Sequence, residues 1–391
     1  MPFSILIISH YFAWSFKDVR EGLTHRYFGL YSNIARYVLT HGEAVYWYSV
    51  REQKLLRIFE GKIYSSRYLV MPMAVIRSLR ELHIRRKPII IILDYPHSFL
   101  GIKHFPLYVI TLITLHIFRL FKLAFIIVDN MDPPVEHALE LKKKISILEK
   151  ILWIFLNNIV FGFDFIIFLS QSYRVYHKLY YKLDYTKTDV CPLGSFPSKI
   201  PYKEVSLKPP LKVLILGRIE EWIGLKNLSV LINDLEHEGI KVKLIVIDKS
   251  APNSLKENSI EVINTYIDYS DLVKLLAGAH VLLLLRPRSL HHLLTVRATL
   301  LDYMMTGRPI LYLRSLGSKE KIVDDLKGCY SFVSLKEVSS ILKQLYTNMS
   351  VINELGKKIR EYAEKHFNYE VLALNLLKKI VCRLRSRYIR G

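Results

Sequence analysis

The sequence predicts an α/β protein built as two Rossmann-like, doubly wound domains. Short, nearly continuous apolar runs alternate with amphipathic stretches along most of the chain, the signature of a parallel sheet with helices on its faces. A break rich in Pro and Lys at 196–210 (FPSKIPYKEVSLKPP) separates two such series. The 391 residues exceed the roughly 250–300 at which a single core stops growing. A hydrophobic content of 51% is enough for two cores. The domains then fall at 1–200 and 208–367.

In the first series, strands are expected at 4–9, 44–49, 89–93, 125–128 and 165–169, with helices between them, notably at 27–40 and 140–160. The run at 2–9 lacks the basic flank of a signal peptide and reads as the first buried strand. Two longer apolar stretches raise the question of a membrane span. The one at 105–128 is interrupted by His116, Arg119 and Lys122, and the one at 151–169 carries Asn157, Asn158 and Asp164. A span needs about 20 consecutive apolar residues, so each reads as a helix followed by a buried strand. The first also fits a helix lying on a membrane surface, its basic residues toward lipid phosphates.

The second series places strands at 212–216, 241–247, 260–263, 281–285, 310–313 and 330–333. A helix over 295–306 should end at Gly307, where positive φ is required, with Pro309 stopping it and heading the next strand. The tail at 368–390 is a basic amphipathic helix, either docked with a solvated basic face or in contact with a membrane.

The 56 basic residues against 35 acidic ones leave a net charge of +21, which favours anionic partners. Basic residues are spread along the chain, and no helix-turn-helix, zinc or RNP pattern singles out nucleic acid. Cys191, Cys329 and Cys382 are scattered without CxxC or His spacing. That argues against a disulfide framework or zinc site and fits a reducing cytoplasm. No metal-ligand cluster or Asp-x-Asp motif is present, so no metal is expected.

Candidate ligand groups gather where strands end. Strand 212–216 delivers Gly217 and Arg218 to its C-terminal edge, with Gly224, Lys226 and Asn227 following. Strand 281–285 runs through a basic loop into the helix at Thr295, whose N–H groups and positive end suit a phosphate. Asp302 stands about two turns into that helix, placed to grip a polar ligand group. Asp94-Tyr95-Pro96-His97 and Asp129-Asn130-Met131-Asp132 follow two first-domain strands. His97 and Asp132 are open to two readings: orienting an acceptor hydroxyl or taking its proton, or simply forming turns.

The run Asp302-Tyr303-Met304-Met305-Thr306-Gly307-Arg308-Pro309-Ile310 resembles the nucleotide-sugar motif of GT-B glycosyltransferases, especially retaining family four. Gly217, Arg218, Lys226 and Asn227 resemble a second signature of that family, with a longer Arg-to-Lys spacing. Cys191-Pro192-Leu193-Gly194 resembles the turn that closes its first domain, Leu193 replacing Asn. Leu294 departs more seriously, because it stands where the pattern has its first acid. Sugar-hydroxyl contacts then fall to His291 or His292.

The resemblance implies two domains facing across a cleft, with the C-terminal helix at 368–391 crossing back to the first. It implies that Arg218 and Lys226 neutralise the donor diphosphate, with the Thr295 helix end adding its dipole, and that Asp302 holds the ribose hydroxyls. Gly22, Thr24 and Arg26 would face the donor phosphates from the first domain, while His97 and Asp132 lie near the sugar. Tyr266 and Tyr269 fall where the family contacts the base, although core packing explains either one. The implied activity is metal-independent, retaining transfer of a sugar from a nucleotide-sugar donor, a substrate rather than a cofactor. The acceptor would be lipid-linked or a glycan, at the cytoplasmic face of an anionic membrane. Two rivals stay open: a nucleotide-sugar epimerase, and a catalytically silent GT-B subunit anchoring a partner glycosyltransferase.

Overall fold

The computed structural model describes residues 3–13, 26–59, 62–68, 71–83, 87–95, 105–133, 135, 145–217, 224–248, 259–265, 267–285, 290, 294–314, 323 and 326–389. The chain divides into two compact units. The first comprises Met1–Gly194, Leu294–Val296 and Tyr369–Gly391, the second Ser195–Leu293 and Arg297–Asn368.

The first unit holds an eight-stranded sheet in the order β4-β3-β2-β1-β5-β6-β7-β8. Its parallel body is β1 (Ser4–Ser9), β2 (Val45–Ser49), β5 (Ile89–Tyr95), β6 (Ala124–Asn130), β7 (Phe165–Phe168) and β8 (Thr188–Val190). All of these but the edge strand β8 are buried along their whole length, hence their mainly apolar runs. The hairpin β3 (Lys54–Phe59) and β4 (Lys62–Arg67) was not anticipated, and β3 pairs antiparallel with both neighbours. Every residue of β4 is exposed, as expected of a polar edge strand.

A π-helical segment, Tyr27–Tyr31, leads into α1 (Ser32–Thr40). Then come α2 (Met71–His83), α3 (Phe105–Leu120), α4 (Ile147–Val160) and α5 (Gln171–Tyr181). One apolar cluster joins Leu6, Ile91 and Ile126 of the sheet to Leu79 of α2, Leu112 of α3 and Leu156 of α4. The helices α2, α3 and α4 therefore cover one face together. Both long apolar stretches resolve into a helix plus a strand, as their internal polar residues indicate. Among the described residues, no helix is long and apolar enough to cross a membrane.

The second unit is a six-stranded, wholly parallel sheet in the order β11-β10-β9-β12-β13-β14. Its strands are β9 (Leu211–Leu216), β10 (Val242–Ile247), β11 (Ile260–Ile263), β12 (Val281–Leu284), β13 (Ile310–Leu313) and β14 (Cys329–Phe332). The helices are α6 (Gly224–His237), α7 (Tyr269–Gly278), α8 (Ala298–Thr306), α9 (Leu335–Thr347) and α10 (Val351–Phe367). Gly307 ends α8 at φ +70°, the left-handed cap its sequence position calls for. A Cβ there would lie 2.8 Å from the Tyr202 ring and 3.0 Å from the Gly356 carbonyl, so α8 and α10 meet almost backbone to backbone.

The last helix, α11 (Tyr369–Ile389), belongs to the first unit. A Cβ on Gly29 would overlap the Tyr369 ring at 2.1 Å, so the π-helical segment and α11 meet where only glycine fits. Three of its cations hold it down. Lys379 pairs with Asp189 at 2.8 Å, Arg387 with Asp164 at 2.8 Å, and Arg383 donates to the Thr186 carbonyl at 2.7 Å. Part of the basic face is thus spent on docking.

Candidate functional site

In a doubly wound sheet, ligands bind beyond the C-terminal strand ends where the strand order reverses. In the first unit that point lies between β1 and β5; in the second, between β9 and β12.

At the first, Asp94 and Asp129 are register partners at the ends of β5 and β6, both fully buried. Adjacent buried carboxylates need compensating groups. The Asp94 Oδ2 atom accepts from the His10 N–H at 3.1 Å and from the Tyr27 hydroxyl at 2.6 Å. Asp129 receives Arg26 through Nε at 2.5 Å and Nη2 at 2.7 Å, and the Tyr31 hydroxyl at 2.7 Å. The Arg26 Nη1 group donates to the carbonyls of Cys191 (3.2 Å) and Pro192 (3.0 Å). Burial opposes the Arg26 charge, but Asp129 outweighs it and lifts the guanidinium well above its ordinary range. Burial, then Asp94 and Asp129 respectively, push the Tyr27 and Tyr31 phenols up as well.

Arg26 therefore points inward and ties the start of the first helix to β6 and to the Cys191-Pro192 turn. The phosphate-facing role expected of it is not what its geometry supports. Its partner lies 103 residues away in sequence, and no local pattern announces it. Asp132 sits two residues past β6, half-buried. Gly22, Thr24 and His97 lie outside the described residues.

In the second unit, Gly217 N–H donates to the Ile247 carbonyl at 2.9 Å, continuing the ladder one residue beyond β9. Its φ of +107° then turns the chain, a conformation that L side chains rarely adopt. Lys226 follows, exposed in the first turn of α6. The Leu216 N–H donates to the Tyr303 hydroxyl at 2.8 Å. That bond fastens the last residue of β9, immediately before Gly217, to α8, and so brings the two sequence signatures of this unit together. Burial pushes the Tyr303 phenol up, keeping it in its hydrogen-bonding neutral form. Arg218, His291, His292 and Tyr266 lie outside the described residues. Tyr269 is buried, as core packing requires.

Asp302, next to Tyr303, is buried, and its Oδ1 atom accepts from the Ser195 hydroxyl at 2.7 Å. Ser195 is held in turn by its N–H to the Phe367 carbonyl at 2.7 Å. Sequence reasoning passed over Ser195, although it directly follows the Cys191–Gly194 turn. It also passed over Arg308, a fully buried side chain that donates to the carbonyls of Ala277, Ala279 and Gly307.

Helix α8 begins at Ala298, three residues later than expected, and Arg297 makes no side-chain cap. Thr295 is buried in the segment Leu294–Val296, which belongs to the first unit. The cause is the neighbouring side chain. Leu294 packs into the first unit's apolar cluster, and its carbonyl accepts from the Ser170 hydroxyl at 2.5 Å. The position where the family carries an acid is thus an apolar anchor. Among the described residues, no cluster of His, Cys, Asp or Glu could hold a metal ion.

No protein-family model matches the sequence, and no curated protein matches it. Solved structures do. A sucrose-phosphate synthase from Thermosynechococcus elongatus aligns at TM-score 0.63 and 13% identity, covering 99% of this chain and 100% of that one. Anabaena HepE in complex with UDP aligns at TM-score 0.59 and 13% identity over 98% of this chain and 100% of its own. An alpha-glucosyltransferase in complex with UDP-glucose and DNA containing an abasic site aligns at TM-score 0.60 and 13% identity, covering 97% and 99%. The chain has the GT-B fold of these glycosyltransferases, as the motif resemblance implies.

Proposed function

We propose that this chain is a glycosyltransferase that moves a sugar from a nucleotide-sugar donor to a lipid-linked or glycan acceptor at a membrane face, with retention at the anomeric carbon. The observation carrying this reading is the Leu216–Tyr303 hydrogen bond. It joins the Gly217 turn to the helix bearing Asp302, in a chain whose fold is shared with proteins solved with UDP or UDP-glucose. A uridine nucleotide is therefore the first donor class to test.

The chemistry follows from charge. Cleaving a sugar–phosphate bond leaves a nucleoside diphosphate with added negative charge. Cations fixed beforehand stabilise that charge more in the transition state than in the ground state. Arg218 and Lys226 supply them in this reading, with α6 N–H groups adding their dipoles. Asp302, oriented by Ser195, takes the ribose hydroxyls. His97 and Asp132 serve the acceptor side.

A second reading rests on Leu294. An apolar anchor cannot hold sugar hydroxyls, which favours a nucleotide-binding subunit without turnover. Thermal stabilisation by a panel of nucleotide sugars, run beside an assay for donor hydrolysis and transfer, separates the two. A ligand that binds only the folded state raises its apparent stability. Stabilisation with turnover supports the transferase, stabilisation without it supports the silent subunit, and no stabilisation by any nucleotide overturns both.

A further inference from the structure

Two of the three helices on the first unit's covered sheet face, α3 and α4, are apolar on the outside as well as the inside. Helix α3 buries Tyr108, Leu112 and Leu115, yet it also exposes Ile110, Ile113 and Ile117 on the opposite side. Helix α4 buries Trp153, Leu156 and Val160 while exposing Ile147, Ile151 and Phe155. A helix on a sheet normally alternates an apolar stripe with a polar one. These two have apolar stripes on both sides.

The two outer stripes adjoin. The His116 ring of α3 hydrogen-bonds the Ile159 carbonyl of α4 at 2.9 Å, and both helices cover the same sheet face. Leu120, the last residue of α3, and Phe121 just beyond it, each 72% exposed, add to this apolar surface. The six outward side chains of the two helices are 46–80% exposed, and neighbouring exposed apolar side chains of this size mark interaction surfaces on a monomer. Lys122 and Lys150 are exposed at the margins of this surface. The two helices carry one acid, Glu149, which is half-buried.

We propose that this face seats in the interfacial layer of an anionic lipid bilayer, with α3 and α4 lying flat along it. The proposal deepens the membrane-side reading given above and names its surface. Apolar side chains flanked by lysines, with no exposed acid on either helix, suit acyl chains beneath anionic headgroups. Neither helix is long enough to span. A second copy of the chain is the poorer occupant, because two molecules of net charge +21 repel one another while an anionic surface attracts each. Since α11 spends part of its basic face on docking, the α3–α4 face is the better candidate for contact.

The test is flotation of the full chain with vesicles of mixed phosphatidylglycerol and phosphatidylcholine, and of phosphatidylcholine alone. The parent protein should float with the anionic vesicles. Combining Ile113→Ser, Ile117→Ser, Ile151→Ser and Phe155→Ser should cut partitioning by at least about tenfold, with an unchanged circular dichroism spectrum and melt. Lys122→Glu with Lys150→Glu, which touches no apolar side chain, should weaken binding to the anionic vesicles alone. Three outcomes overturn the proposal: a parent protein that does not float, a serine variant that floats like the parent, or a parent dimer that this variant dissolves. UDP-glucose binding, measured on the same samples, keeps the two readings apart. Vesicle binding without nucleotide binding sinks the transferase, and the reverse sinks the surface.

Discussion

Arg26 and Asp129 form a two-pronged, fully buried ion pair, Nε to Oδ2 at 2.5 Å and Nη2 to Oδ1 at 2.7 Å. It fixes where the first helix begins relative to the strand ends. Removing one partner leaves the other charge buried without compensation, which costs about 3–5 kcal/mol. Arg26→Ala should therefore lower the stability of the first unit by that order in urea unfolding. Arg26→Lys should recover little, since a point charge cannot make the fork contact. A loss below about 1 kcal/mol would show that the pair is not structural.

His177 offers a pH-dependent counterpart. Its ring sits in a box of Phe161, Phe168 and Tyr181, and neither ring nitrogen has a hydrogen-bond partner. Burial pushes its pKa down from 6.5 to about 3. The unfolded chain therefore binds a proton at a pH where the folded chain does not. This contribution is fully present above about pH 6.5 and is lost as pH falls toward 3, at about 1.4 kcal/mol per pH unit. His177→Phe should flatten that part of the stability–pH curve by one proton and leave neutral-pH stability equal or higher. Parallel curves for the parent and variant between pH 4 and 7 would refute a buried neutral imidazole.

What the sequence disclosed, and what it hid, divides along one physical line. Strands buried on both faces advertise themselves as apolar runs such as Ile89–Tyr95, and positive-φ stops such as Gly307 advertise themselves by residue type. The hairpin at β3 and β4 did not, because one strand is half-polar and the other wholly exposed. Arg26 misled for a different reason. A cation in sequence says nothing of burial, and the carboxylate that claims it comes from another strand. Leu294 was recognised as a departure, but its anchoring role depends on a core that only the fold assembles.

On the nucleotide side, Arg218→Ala should lower kcat/KM for the donor by about 10²–10³-fold, the usual cost of losing one preorganised donor to developing charge. Lys226→Ala should act in the same direction and more weakly. Lys226 is exposed on α6, so its melting temperature should stay near that of the parent. A variant at either position with undiminished turnover would remove that residue from the site. A matched drop in stability would mean that the loss comes from misfolding.

Leu294 gives the sharpest discrimination between restoring a motif and respecting a core. If the acid were merely missing, Leu294→Glu would add a sugar contact and raise transfer. The packing argues the opposite, because this side chain is 6% exposed within an apolar cluster. A carboxylate placed there loses solvation and gains no partner of opposite charge in that cluster, so it should be held neutral with a raised pKa. Leu294→Glu should therefore destabilise the first unit, and the deficit should shrink as pH falls and the introduced acid is protonated. Leu294→Ala should cost about 2–5 kcal/mol with no such pH dependence, isolating the cavity from the charge. The check is the melting temperature of both variants across pH 4.5–8, with transfer assayed on the same samples. A stable, more active Leu294→Glu enzyme would mean that the anchor is dispensable and the acid's absence is what limits turnover.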